Sequence, residues 1–159
     1  MRRTDREVTD RNTIDSIINS TDHFRIGFYD TNTSEVYVIP LHFGTEILSD
    51  GTRIFYSHGA TEGRKIELAK CGGSVGFELD VDCKLKPAEL ACTHSASFQS
   101  IIGNGNISIV EDFDEKQHAL QLIMKQATGK PDWDIPAEAI NGTAVLKILV
   151  TNLSCKIHE

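Results

Sequence analysis

Apolar and polar residues alternate with a period of two over His23 to Asp30, with Phe24, Ile26 and Phe28 on one face and Arg25, Gly27 and Tyr29 on the other. This is the pattern of a half-buried strand. A second run, Glu35 to Phe43, follows the turn-rich Asp30-Thr31-Asn32-Thr33-Ser34, and the two read as a hairpin. Pro40 has no N–H for a ladder, so the strand there is at an edge, bulged or facing a ligand. Ser49-Asp50-Gly51-Thr52 turns the chain into a third strand ending at Ile54-Phe55-Tyr56. Ser74 to Leu79, Ala96 to Glu111 and Val145 to Leu153 are predicted as further strands. Asp80 to Cys92, broken by Lys86-Pro87, reads as a short strand plus loop. Gly103-Asn104-Gly105 inside the long run predicts a bulge, a bend or a close approach.

Helical spacing occurs in three places. Thr9 or Asp10 caps a short helix whose Ile14, Ile17 and Ile18 share a face. A second helix begins near Thr61 as N-cap, offers Ile66, Leu68 and Ala69 to a core, and ends at Gly72-Gly73. The strongest starts at the capping box Asp112-Phe113-Asp114-Glu115, presents Leu120, Ile123, Met124 and Ala127, and stops at Gly129-Lys130-Pro131. Trp133 falls in an irregular stretch, before a short helix at Pro136 to Ile140. Strands follow one another without βαβ alternation, so the chain is α+β, built on an antiparallel barrel or sheet. With no internal repeat or linker, residues 1–159 are expected to form a single domain.

The stretch Phe55 to Lys70 is where chemistry is expected. Gly59 and Gly63 allow backbone angles or close approaches that a side chain forbids. Arg64 and Lys65 stand in the first turn of a helix, where the dipole disfavours positive charge. An anion between them, with phosphate the obvious candidate, removes that misfit. The competing reading is that both are solvated surface residues.

Bulk composition narrows the partners. The 159 residues carry a net charge of −7, which argues against nucleic acid or an anionic membrane as partner. No apolar run approaches a membrane span, and the N-terminus has no hydrophobic region of a signal peptide, so a cytoplasmic location is expected. Cys71, Cys83, Cys92 and Cys155 lack CxxC spacing and are expected to be reduced, partly buried thiols. Cys83, Cys92 and His94, with Cys71, lack zinc-ribbon spacing, and no metal site is assigned. The Gly-x-Gly of the long strand opens no helix, which rejects a Rossmann site. A Ser/His/Asp hydrolase is disfavoured because there is no G-x-S-x-G elbow.

Four motifs in order make the sequence familiar. Arg2-Arg3-x-x-Arg6-Glu7-Val8-Thr9-Asp10, Tyr37-Val38-Ile39-Pro40-Leu41-His42-Phe43-Gly44, His58-Gly59-Ala60-x-x-Gly63-Arg64-Lys65 and Ser100-Ile101-Ile102-Gly103-x-Gly105 span nearly the whole chain. Together they resemble the pyridoxamine 5'-phosphate oxidase-like split-barrel flavoproteins, nearest the branch with the nitroimidazole-resistance (Nim) proteins. The resemblance implies a six-stranded antiparallel split β-barrel with flanking helices. It also implies a homodimer with one FMN at each of two sites between subunits. By the same resemblance, Arg64 and Lys65 hold the FMN phosphate, with Gly63 beside them. Pro40, Leu41, His42, Phe43, Ser57, His58, Gly59 and Ala60 line the flavin, and Ser100, Ile101 and Gly103 approach it from the long strand. Relatives commonly have Asn where this chain has His42, which either tunes or crowds the flavin site or faces solvent. The C-terminus lacks the tryptophan–arginine pair of true pyridoxamine phosphate oxidases, so that reaction is not expected.

The implied activity is that of an FMN-dependent oxidoreductase. Electrons pass from a nicotinamide or other donor through FMN to a small acceptor such as a nitroaromatic or quinone. His58 is the candidate catalytic residue, as proton donor or substrate contact; its structural alternative is a hydrogen bond at the turn. Trp133 either covers the flavin from the partner subunit or packs in a core or dimer contact. The alternative function is a non-catalytic or regulatory flavin- or haem-binding protein on the same barrel.

Overall fold

The alternating run His23–Asp30 forms strand β2 with the expected bounds, its Phe24, Ile26, Phe28 and Asp30 buried. The computed structural model describes residues 3–159; Arg2 of the N-terminal motif lies outside them. Around β2 stand β1 (Glu7–Val8), β3 (Glu35–Ile47), β4 (Arg53–Gly59), β5 (Ser74–Lys86), β6 (Ser95–Val110) and β7 (Ala144–His158). The helices are α1 (Arg11–Asn19), α2 (Arg64–Lys70), α3 (Phe113–Thr128) and α4 (Ala137–Asn141). The sheet order is β1-β7-β4-β3-β2-β5-β6, and β6 also pairs with β7. Every pairing is antiparallel.

Among the described residues the sheet therefore has seven strands, not the six expected. The extra one is the two-residue β1, paired to Lys156 and Cys155 at the far end of β7. The other six are joined in a continuous ring of pairings. The short strand expected after Asp80 is a continuation of the one before it, and the last strand outruns its expected end. β5 runs on to Lys86 through a bulge between Val81 and Lys84, and β7 reaches His158 because Phe98 to Ile102 of β6 pair with it.

Two cores result. Inside the ring, Phe24, Phe43, Phe55 and Phe77 form a chain of tilted and edge-on ring contacts, with centroids 5.0–5.6 Å apart. Ile17 and Ile18 of α1, with Ile66 and Ala69 of α2, pack into that core. Outside, Ala119, Leu120 and Ile123 of α3 cover Ile54, Tyr56 and Val145, together with Ile140 of α4. α3 uses the Ala119–Leu120–Ile123 stripe; Met124 is half-buried and Ala127 is exposed, which shortens the predicted apolar face. Gly44 sets this seat, because a Cβ there would overlap the backbone of Leu122 and Ile123.

Caps at both ends of α3 follow the sequence. The Asp112 carboxylate accepts from Glu115 N–H at 2.8 Å, and Gly129 closes the helix at φ 71°. Asp10, not Thr9, caps α1. α2 departs from expectation: its cap is Gly63 at φ 110°, so the helix starts after Thr61 and Glu62 rather than on them. Cys71, Cys83 and Cys92 are exposed rather than partly buried; Cys155 is buried.

Candidate functional site

Pro40 marks the place where the sheet opens. Phe43 N–H donates to Asp22 C=O, and residues of β2 and β3 face one another in the register His23↔His42 and Arg25↔Pro40. In an antiparallel ladder hydrogen-bonded pairs alternate with non-bonded ones. The Arg25/Pro40 pair is thus non-bonded, and the proline nitrogen points to the side away from β2. Among the described residues that side has no partner, because β4 pairs with β3 only from Phe43 onward. Pro40 is an edge residue there, one of the three readings its ring allowed.

Beyond the end of the β3–β4 pairing lies an open cleft of about 460 Å³, lined by His23, Pro40, Leu41, His42 and His58. His58 also borders a second, mainly apolar cavity of about 270 Å³, with Leu120, Ile123 and Met124 of α3 and with Trp133, Ile135 and Pro136. The alternation of β3 sorts the predicted lining residues. His42 and Pro40 face outward, Leu41 is half-buried, and the Phe43 side chain is wholly buried in the inner core.

Trp133 is fixed by its own chain. Its backbone N–H donates to Gln121 Oε1 at 2.8 Å, its indole N–H to Lys130 C=O at 3.0 Å, and the Lys130 ammonium stands 4.2 Å from the ring centroid. Trp133 and His58 are thus walls of one cavity within a single chain.

The histidines form a small electrostatic group. The Asp22 carboxylate meets His23 Nδ1 at 2.9 Å and His42 Nδ1 at 3.4 Å. The hydrogen bond from His23, opposed by burial and helped by the His42 charge, leaves the Asp22 carboxyl below its usual range. The His58 ring is exposed on one side and crowded on the other. That loss of water, then the His42 charge and the Lys65 charge, push its pKa below the ordinary 6.5. His58 is therefore a neutral imidazole near pH 7. An NMR titration of its ring protons should show a midpoint below 6.5, and His42→Asn should move that midpoint upward by removing one cationic neighbour; no movement would uncouple the two rings.

The two predicted phosphate ligands differ in their surroundings. Lys65 reaches back over β4: a Cβ on Gly59 would lie 2.5 Å from Lys65 Cε and closer still to Nζ. Among the described residues Lys65 makes no ion pair. Arg64 is engaged. Its Nη2 meets Glu35 Oε2 at 2.9 Å and Asp30 Oδ2 at 3.3 Å, and its guanidinium stands 4.9 Å from the Tyr37 ring centroid. The charge expected to be a misfit at the start of α2 has carboxylate partners supplied by the β2–β3 hairpin. Gly63 and Ala60 are exposed in the connection that carries both cations.

Ser57 and the β6 residues stand apart. The Ser57 hydroxyl is buried and, among the described residues, is the one buried side-chain polar atom without a hydrogen-bond partner. Ile101 is wholly buried between Leu79 and Cys155 of its neighbouring strands. A Cβ on Gly103 would lie 3.0 Å from Phe77 Cε1 and overlap the Asn152 carbonyl, so this glycine answers a close approach between strands. Ser100, Ile101 and Gly103 belong to β6, which pairs with β5 and β7, and they line neither cavity bordered by His58. A further cavity of about 460 Å³ lies where β7 runs between β4 and β1. It contains none of the predicted residues, and the Arg53–Asp15 ion pair crosses it from β4 to α1.

Sequence reasoning missed His23, Asp22, Asp30, Glu35 and the apolar cavity. Only the hairpin register could have brought the first four to the motif.

Comparison with known proteins agrees with this fold. The model of the family described as pyridoxamine 5'-phosphate oxidase matches residues 10–157. No curated protein matches the sequence. Among solved structures, a candidate 5-nitroimidazole antibiotic resistance protein of Bacteroides thetaiotaomicron is similar at a TM-score of 0.78 and 30% identity, over 95% of this chain and 86% of that one. A flavocytochrome of Azotobacter vinelandii gives 0.79 at 20% identity, over 100% and 72%. An FAD- and haem-binding protein of Mycobacterium smegmatis gives 0.75 at 15%, over 97% and 74%. At the latter two identities the likeness speaks for the fold alone.

Proposed function

The chain belongs to the pyridoxamine 5'-phosphate oxidase family, and from that membership we propose that it is a flavoprotein that binds FMN and acts as an oxidoreductase on a small acceptor. The observation that carries this reading is the meeting of the open cleft, the apolar cavity and the Lys65 ammonium around His58. The residues suit such a group: the cleft is of ligand-binding size, and among the described residues Lys65 has no ion-pair partner and the buried Ser57 hydroxyl lacks a partner that a bound molecule or its ordered water can supply.

Lys65 and Arg64 would hold the phosphate as charge-assisted donors. Pro40, Leu41 and His42 would line one side of the ring system along the unpaired edge of β3. Phe43 and Ile101, whose side chains are in the core, would contribute only backbone. The chemistry a bound flavin supplies is two-electron transfer, from a nicotinamide or other donor to an acceptor such as a nitroaromatic or quinone. Near pH 7 the neutral His58 can donate one ring N–H and accept at the other nitrogen, and once protonated it is a readier acid than an ordinary histidine. Leu120, Ile123, Met124 and Trp133 would keep water from that ring and offer an apolar wall to a flat acceptor.

The site would be completed in a homodimer. Ser100, Ile101 and Gly103 stand away from His58 in the sheet order, and a second copy can bring them to it. The outer face of the sheet offers the surface. Tyr29 and Val36 face one another in register, and Val38 on the same side and Ile102 on the row through Arg25 and Glu78 are all exposed. Such apolar area on a monomer marks an interface. Among the described residues no helix is long and apolar enough to cross a membrane, and we place the protein in the cytoplasm.

The test is the absorption spectrum of the purified protein with the released cofactor identified by mass. Yellow protein releasing FMN, bleached by NADH or NADPH and reoxidised by a nitroaromatic, supports the reading. A Soret band, or no flavin bound even from added FMN, overturns it.

A further inference from the structure

Resting on the phosphate site above, we infer that Glu35 is a latch on Arg64: a carboxylate that the FMN phosphate must displace, and that thereby sets the affinity for phosphorylated flavin. The hairpin places Asp30 and Glu35 directly opposite one another, and like charges in that position repel. Arg64 lies against both.

The two carboxylates are not equivalent. Asp30 is buried, and its other oxygen accepts the Asn32 N–H at 3.0 Å, so the turn holds it in place. The Glu35 side chain is 63% exposed and has Arg64 as its one partner among the described residues. Phosphate approaching Arg64 would put three anionic groups on one guanidinium. The group able to leave is Glu35, which can turn into solvent. Asp30 and the Tyr37 ring, 4.9 Å beneath the guanidinium, keep Arg64 in position as it does so.

Exposed ion pairs are weak. The latch is therefore an adjustable competitor rather than a block, worth about two- to five-fold in affinity by that estimate.

The experiment titrates the flavin-free protein with FMN and with riboflavin, which lacks the phosphate, and follows flavin fluorescence for the wild type, Glu35→Gln and Arg64→Ala. Glu35→Gln should tighten FMN about two- to five-fold and leave riboflavin unchanged. FMN affinity equal to or below that of the wild type in Glu35→Gln, or an equal shift for both flavins, overturns the latch. If Arg64→Ala then still weakens FMN selectively, the phosphate site stands and only the latch falls. Binding of neither flavin by any of the three proteins removes the flavin reading and the latch together. Melting curves of all three check that the variants are folded.

Discussion

Gly44→Ala should destabilise the protein by about 3 kcal/mol, at the upper end for overpacking of a rigid contact. The added methyl would overlap the Leu122 and Ile123 backbone and stand 2.8 Å from Leu122 Cβ. Neither side of that contact can yield cheaply, because Gly44 is held in the β3–β4 ladder and the helix backbone is held by its own hydrogen bonds. Relief requires α3 to lift from the sheet, which opens the cavity that Leu120, Ile123 and Met124 form with His58 and Trp133. Gly59→Ala is the contrasting case. Its φ is outside the left-handed range, and the new methyl would meet only the flexible end of Lys65. Stability should change by less than about 0.5 kcal/mol, while the displaced ammonium weakens FMN binding. Urea unfolding with a common m-value separates the two. A Gly44→Ala midpoint equal to that of the wild type would mean that α3 is not seated on β3 as closely as described.

That contrast was half legible in the sequence. The Gly-rich motif singled out Gly59 for an unusual backbone angle or a close approach, but nothing in the pattern told Gly44 from an ordinary strand residue, because the constraint comes from a helix nearly eighty positions later. What could be read was local. β2 and the hairpin followed from strict alternation, and α3 from its caps. What could not be read depended on partners. β5 past Leu79 carries Asp80, Asp82, Lys84 and Lys86, which read as no more than a short separate strand before a loop, yet the ladder to β6 holds it continuous with Ser74 to Leu79 across a bulge where Asp82 has φ 55°. Two-residue β1 has no period to detect. Thr61 is a good cap in isolation, but Gly63 takes a backbone angle that only glycine adopts freely and moves the start of α2 beyond it.

The same division runs through the site. The motif placed Arg64 and Lys65 together, and the helix dipole argued for an anion beside them. The anions present in the chain are carboxylates 34 and 29 residues upstream of Arg64, at Asp30 and Glu35. The turn between β2 and β3 delivers them, and the turn's composition signalled only that the chain reverses there. His58 was legible as a titratable residue at a strand end. Its depressed pKa was not, since it depends first on burial of the ring, then on His42 across an edge and on Lys65 folded back over Gly59.

Arg64→Ala and Lys65→Ala should each weaken FMN about ten- to a hundred-fold, the scale of a lost hydrogen bond to a charged group, with riboflavin nearly unaffected. The two losses should differ in how they can be repaired. The wild-type cluster of Arg64, Lys65, Asp30 and Glu35 has two positive and two negative groups and is formally neutral. Arg64→Ala leaves Lys65 with both carboxylates, a net −1 facing the incoming phosphate, with Asp30 and Glu35 opposed and unscreened. Adding Glu35→Gln to Arg64→Ala returns the cluster to neutrality and should recover part of the lost affinity. Adding it to Lys65→Ala also frees Arg64 for the phosphate, so the recovery there should be larger. Arg64, Asp30 and Glu35 are contacting groups, for which non-additivity is expected, and a double-mutant cycle measures it. The salt dependence of FMN binding should flatten in each single variant as one cation leaves the site. Should Arg64→Ala/Lys65→Ala bind FMN as tightly as the wild type, the phosphate lies elsewhere, and the carboxylates on Arg64 serve only to close the hairpin onto α2.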